Sequence, residues 1–221
     1  MTRRTRSSTK PSTDSVIAGS VIAGSANAAE SRKRIVIGIT GASGAIYGIR
    51  LLESLRTMGI ETHLVLTRAA EMTIAYETDH TAKSVRALAD KTYPLGDVGA
   101  AIASGSFRTL GMIVAPCSMK TLGEIAYSMS SNLLTRAADV VLKERRRLVL
   151  MPRETPLHLG HIRAMAAATE IGAIIAPPMP AFYAKPKSLD EMVAHSVGRV
   201  LDLFDLDSGM VRRWRGKPER D

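Results

Sequence analysis

The chain has 221 residues, 45% of them apolar, and a net charge of +9. That length suits one domain with a sizeable core, no apolar run reaches the roughly 18–20 residues of a transmembrane helix, and the single cysteine, Cys117, excludes an internal disulfide. The charge does not point to nucleic acid: residues 1–34 hold seven Lys/Arg against two acids, aromatic residues make up 4% of the chain, and no basic stripe is studded with them.

Residues 1–33 are rich in Ser, Thr, Ala and Arg and contain the echo VIAGS-VIAGS. This composition reads as a disordered basic extension. An organellar presequence or an export signal are the alternatives, although Gly and Ser interrupt the weakly apolar middle. A cytoplasmic location is expected, with a mitochondrial one as the minor alternative. Residues 34–221 are expected to form one domain.

The stretch Ile35–Gly48, IVIGITGASGAIYG, carries the strongest local signal. A β-rich apolar run meets a glycine turn that opens an amphipathic helix, Ala45–Thr57. Such a unit presents backbone N–H groups to a phosphate. The spacing of Gly41, Gly44 and Gly48 fits neither the G-x-G-x-x-G fingerprint nor a P-loop. The next strand, Glu61–Leu66, ends in Thr67-Arg68, where a dinucleotide site would want an acid for the ribose. A mononucleotide such as FMN is therefore favoured over NAD. A tight turn without ligand is the plain alternative.

Further strands are expected at Gly111–Ala115, Leu148–Met151 and Ala173–Ala176. Helices are expected at Arg68–Ala75, Thr81–Asp90, Thr121–Tyr127, Asn132–Arg146, Gly160–Glu170 and Ser188–Leu203. This rhythm predicts an α/β fold with a doubly wound, mostly parallel, Rossmann- or flavodoxin-like sheet in a single domain. Ligands would lie beyond the carboxyl ends of its strands. Those ends carry Thr40–Ser43, Thr67-Arg68, Pro116–Ser118, Pro152–Glu154 and Pro177-Pro178.

After the third predicted strand, Ser118, Met119, Lys120 and Thr121 open a helix. They either hold part of a ligand or supply an ordinary N-cap with a solvated lysine. Cys117 has no His or acid near it in sequence and reads as a buried hydrophobe. In NLLTRAADVVLKERRR, Arg136 and Lys143 stand two helical turns apart on one side. With Arg153 they read as an anion cradle, or alternatively as a solvated charged face. Glu77 and Glu154 lie near the same rim, where two acids and Ser43 could relay protons. His158 and His161 lack further ligands, so no metal site is expected.

Taken together, these residues resemble the UbiX-type flavin prenyltransferases over about residues 34–215. The resemblance is carried by G-x-T-G-A-S-G-A-x-Y-G, Glu77–Asp79 (ETD), Ala103–Ser106 (ASGS), P-C-S-x-K-T, L-x-R-A-A-D-V-x-L-K-E-R-R, P-R-E-T-P and P-x-x-P-x-F-Y-x-x-P at Pro177–Pro186. It implies joining the dimethylallyl group of dimethylallyl phosphate to N5 and C6 of reduced FMN, without metal, with release of phosphate. The product, prenylated FMN, would serve a UbiD-type decarboxylase.

By resemblance, Gly41, Ala42, Ser43, Thr67, Ser118, Met119, Lys120, Thr121 and Arg153 contact FMN. Arg136, Lys143, Tyr183 and Arg199 hold the allyl phosphate. Ser43, Glu77 and Glu154 match positions credited with proton transfer and N5 orientation, with the released phosphate a competing base. Trp214 matches a C-terminal aromatic. The resemblance also implies a homo-oligomer, a dodecamer whose sites are completed by neighbours. The small-residue run Ala100–Ser106 and the proline-rich arm carrying Tyr183 suit such contacts. Arg147 departs from the family, whose members usually have Pro there. The alternatives are a flavin-dependent cysteine decarboxylase and a non-catalytic FMN-binding protein; neither needs the Arg136, Lys143 and Arg199 set.

Overall fold

The computed structural model describes residues 33–214 and Gly216. The expected basic extension therefore lies outside the described residues, apart from Lys33. Six strands form one sheet: β1 (Arg34–Ile39), β2 (Glu61–Leu66), β3 (Lys91–Tyr93), β4 (Gly111–Cys117), β5 (Arg147–Pro152) and β6 (Ala173–Ile175). Their order is β3-β2-β1-β4-β5-β6, and every neighbouring pair is parallel. The helices are α1 (Ala45–Thr57), α2 (Arg68–Glu77), α3 (Ala82–Arg86), α4 (Met119–Ala126), α5 (Leu133–Lys143), α6 (Leu159–Glu170) and α7 (Leu189–Asp202).

The central strands are apolar throughout because helices cover both faces. In β1, Ile35, Ile37 and Ile39 point into a core shared with Leu52, Leu55, Val197 and Leu201 from α1 and α7. Val36 points the other way, into a core with Met112, Leu134 and Ala138, the last two from α5. This is the period-two alternation of a strand feeding two layers. The strand order reverses between β1 and β4, and that crevice is where such sheets take ligands.

The five predicted strands are present, and the sheet is wholly parallel. Strand β3 escapes the sequence pattern because Lys91-Thr92-Tyr93 is a short, largely exposed edge. The helix predicted over Thr81–Asp90 shortens to α3, and Asp90 instead accepts from the Thr62 N–H (2.9 Å), tying the segment to β2. Helix α4 starts two residues early because Ser118 caps it. Helix α5 ends at Lys143, and Arg145 then turns the chain with φ 56°.

A polar network is buried along β2. His63 has no exposed surface. Its Nδ1 lies 2.9 Å from the Tyr93 hydroxyl and its Nε2 lies 3.0 Å from Glu61, which also pairs with Arg34 Nε at 3.3 Å. Burial pushes the imidazole pKa down, and the hydrogen bond and charge of Glu61 oppose this only in part. The network then holds a neutral ring that donates to Glu61 and accepts from Tyr93. A base whose folded pKa is depressed binds fewer protons folded than unfolded. Its stabilisation is present above about pH 6.5 and lost as pH falls through the folded value. The thermal midpoint of the wild type should therefore drop more steeply between pH 7.5 and 5.5 than that of His63→Gln. The variant should start lower by about 1–3 kcal/mol from the disrupted buried hydrogen bonds. Equal pH slopes in the two proteins would contradict this reading.

Candidate active site

Pro116 interrupts the ladder of a central strand, since it has no N–H to donate. The β1–β4 register runs only to Gly38 opposite Val114. Thr40 takes over beyond it. Its hydroxyl donates to the Pro116 carbonyl (2.7 Å) and accepts from the Ser118 N–H (2.7 Å), while its own N–H reaches the same carbonyl (3.2 Å). Thr40 is 1% exposed. The glycine loop after β1 and the Ser118 turn after β4 are thereby joined across the crevice. The Arg153 N–H donates to the Cys117 carbonyl (3.3 Å) and adds the loop after β5.

Gly41 is required by packing. A Cβ there would lie 2.3 Å from that of Ala69, so α2 seats directly against the loop. The sequence reading assigned this glycine to ligand approach; the neighbouring helix already accounts for it. Gly44 caps α1 in the left-handed region at φ 97°, with no side-chain cap and no acid in the helix's first turn. The carboxylate of Glu77 serves instead, accepting from Gly44 N–H (2.7 Å) and Ala45 N–H (3.3 Å). Glu77, at the end of α2, thus reaches the positive end of α1 and stands beside exposed Ser43.

Thr67 accepts from Ala70 N–H (3.1 Å) and caps α2. Ser118 caps α4 through Thr121 N–H (3.3 Å) and also donates to the Thr121 hydroxyl (3.1 Å). The N-cap reading of Ser118 holds. Capping leaves Met119 partly exposed and Lys120 exposed at the crevice. Arg153 is exposed and acts on Tyr47, in the first turn of α1. Burial pushes the Tyr47 phenol pKa up, and the Arg153 charge pulls it partly back. Lys120 and Arg153 have no ion-pair partner among the described residues. Two uncommitted cations and the exposed Ser43 hydroxyl remain at this rim as donors suited to a phosphate, while Glu77 occupies the Gly44 and Ala45 amides at the start of α1. Glu154 stands exposed on the same loop, accepting only from Thr155 N–H (3.0 Å).

Lys143 does not join Arg153 within one chain. Arg136 pairs with Asp139 (2.9 Å) and Lys143 with Glu144 (2.6 Å). Lys143 precedes β5 whereas Arg153 follows it, and a six-residue strand rises roughly 20 Å. Lys143 lies instead beside the Ala103–Ser106 loop: a Cβ on Gly105 would be 2.9 Å from its Nζ. Within one chain the expected cradle is therefore not closed at Lys143, because a crossover helix runs antiparallel to its strands and carries its C-terminal end away from the rim.

Tyr183 lies on a short 3-10 turn, Phe182–Ala184, and its hydroxyl sits 3.3 Å from Nε2 of His195 in α7. Arg199, also in α7, lines a cavity of about 190 Å³ with Met151, Ala176 and Pro177, and pairs with Asp202 at 2.8 Å. Cys117 is fully buried and desolvation pushes its thiol pKa far up, which removes it as a nucleophile. His158 and His161 stack at 3.6 Å, but no group of three metal-ligating side chains occurs among the described residues. The sequence reading missed Tyr47 and His195, and it placed Thr40 at the rim without its joining role. A lone polar residue closing an apolar strand was the available signal for Thr40.

Comparison with known proteins fits this geometry. The Flavoprotein family matches residues 23–201. The flavin prenyltransferase UbiX of Thauera aromatica is 60% identical over 188 residues, covering 85% of this chain and 97% of the relative. AnUbiX (PadA1), solved with FMN and dimethylallyl pyrophosphate, is 54% identical with a TM-score of 0.83, over 85% of this chain and 100% of that one. A dodecameric FMN-dependent UbiX-like decarboxylase from Escherichia coli O157:H7 is 51% identical with a TM-score of 0.81, over 83% of this chain and 100% of that one. Matched over nearly the whole length of these relatives, the chain belongs to the UbiX-type flavin prenyltransferase family.

Proposed function

We propose that this protein joins the dimethylallyl group of dimethylallyl phosphate to N5 and C6 of reduced FMN and releases phosphate. The observation that carries this reading is the presence of separate anion-handling groups. Lys120, Arg153 and the Ser43 hydroxyl are available to FMN. Arg136, Lys143, Tyr183 and Arg199 lie elsewhere and remain without a task in a cysteine decarboxylase or a plain FMN carrier.

Bound reduced FMN supplies the nucleophilic N5 and C6. Lys143, Arg136 and Arg199 oppose the charge that grows on the departing phosphate, the electrostatic term most effective in a dry site. Tyr183 donates its hydroxyl to a phosphate oxygen. Glu77, held at the α1 amides beside Ser43, is placed to orient and exchange a proton at N5. Glu154, or the released phosphate, takes the proton from C6. No step needs a metal.

The roughly 20 Å between the ends of β5 means Lys143 and Arg153 serve one reaction centre only if different copies supply them. We therefore propose a homo-oligomer with shared sites, dodecameric like the relative from Escherichia coli. Exposed apolar side chains support it: Tyr76 on α2, Leu159 and Ile162 on α6, and Phe182 on the proline-rich arm. No helix among the described residues is long and apolar enough to cross a membrane. We propose a cytoplasmic location, a UbiD-type decarboxylase as recipient of the product, and a domain that begins near residue 34, outside the basic extension.

Incubation of the protein with reduced FMN, dimethylallyl phosphate and a chelator should yield a flavin heavier by one prenyl unit in mass analysis. Unmodified FMN, or a product lost on chelation, would overturn the reading. Lys143→Ala should bind FMN nearly normally yet prenylate it roughly 30- to 1,000-fold more slowly, matching about 2–4 kcal/mol of lost transition-state stabilisation. Arg136→Lys should also be impaired, since the planar fork is lost. Equal losses of FMN affinity and prenylation in Lys143→Ala would assign this lysine to the flavin.

A further inference from the structure

We infer that Asp202 is a positioning residue for the allyl-phosphate side of the site, setting both Arg199 and the C-terminal segment that carries Trp214. The inference builds on the functional reading above for the roles of Arg199 and Tyr183.

Asp202 is the last residue of α7. A carboxylate is disfavoured there, because the helix C-terminus already carries partial negative charge. Its partners explain the placement. One oxygen, Oδ2, accepts from Arg199 Nη1 (2.8 Å) and Arg213 Nη1 (3.1 Å), and Oδ1 accepts from Arg213 Nη2 (3.1 Å). The carboxylate is 14% exposed, far less than either guanidinium. A bidentate fork fixes the plane of Arg213 as well as its distance. Arg199 gives Asp202 only Nη1; its Nη2 and Nε bond to no described residue and remain free for a phosphate.

Three further contacts close the segment into a strap over α7. At Gly198 on α7, a Cβ would lie 2.6 Å from Val211 Cγ2 and 3.1 Å from Ser208 Oγ, so the strap lies directly on the helix where a side chain would lift it away. Arg212 Nη1 donates to the Ala184 carbonyl (3.1 Å), joining the strap to the turn that carries Tyr183. The Trp214 indole meets the Tyr183 ring edge to face at 6.0 Å. Tyr183 returns to α7 through His195. The path from α7 through Asp202, Arg213, Trp214, Tyr183 and His195 back to α7 is thus continuous. Asp202 is the group in it that ties the strap to α7 by charge; Arg213 Nη2 also lies 3.3 Å from Asp207, but that contact stays within the strap. An ordinary i,i+3 pair at a helix end would hold Arg199 alone; the fork to Arg213 makes Asp202 a joint.

Trp214 is the only tryptophan in the chain, so its emission reports on the strap. The full-length protein should be compared with Asp202→Asn and Asp202→Glu. In Asp202→Asn, Trp214 anisotropy should fall and acrylamide quenching should rise. The KM for dimethylallyl phosphate should increase roughly tenfold, with FMN affinity within about twofold of wild type, as expected for loss of a charge-assisted joint on one ligand only. Asp202→Glu should recover part of both signals. Unchanged anisotropy in Asp202→Asn would overturn the inference. So would a loosened Trp214 with an unchanged KM, because the strap would then be structural only. If the wild type itself transfers no prenyl group, the functional reading falls, and an unchanged Trp214 signal in Asp202→Asn would still independently overturn the joint.

Discussion

The candidate site depends on one buried hydroxyl. A parallel sheet whose order reverses at its centre opens a crevice between β1 and β4, and strands that part there need something to hold their ends in register. Pro116 makes the problem sharper by removing a donor from the strand at that point. The Thr40 hydroxyl donates to the Pro116 carbonyl and accepts from the Ser118 N–H, so one side chain replaces the missing ladder. The glycine loop, the α4 cap and, through Cys117, the loop carrying Arg153 keep a common frame. The β-branched threonine also has few rotamers to lose in a buried, extended position.

The same topology explains why the cations are divided. Each crossover helix starts at the rim and ends at the far side of the sheet, so α5 presents Asn132 and Arg136 toward one end and Lys143 toward the other. Residues that the sequence places two turns apart are roughly 10 Å apart along the axis. That separation is enough to move Lys143 from the rim to the Ala103–Ser106 loop. In the proposed reaction, such a layout puts the FMN crevice at one end and leaves the groups assigned to the allyl phosphate distributed over α5 and α7. Association of copies is the economical way to bring these together.

Much of the fold was legible because the strands announce themselves. Runs such as Ile35–Ile39 and Gly111–Ala115 are apolar on both faces, and Gly41 and Pro116 mark their ends. Short or conditional elements were not legible: β3 is an exposed three-residue edge, and α3 ends early because Asp90 is drawn to Thr62. Ser43, Ser118 and Arg153 follow the carboxyl ends of β1, β4 and β5, which a parallel sheet gathers on one side, and Glu77 reaches that side through the α1 amides. Direction along a helix was lost, which is why Lys143 was grouped with Arg153. The packing need for Gly41 was not legible, because nothing in its own neighbourhood of sequence reveals that Ala69 packs on it. Thr40 and Asp202 act through partners 76 and 11 residues away, a range no local pattern covers.

If the Thr40 hydroxyl is the joint on which the flavin crevice depends, its loss should be felt by FMN more than by the fold. The decisive measurement is the FMN dissociation constant of Thr40→Val and Thr40→Ser, read by flavin fluorescence on the same day as wild type. Valine keeps the shape and removes both side-chain hydrogen bonds, leaving the Ser118 N–H without its partner; the account predicts about 10- to 100-fold weaker FMN binding, with serine close to wild type. A valine variant that binds FMN as tightly as wild type would contradict it.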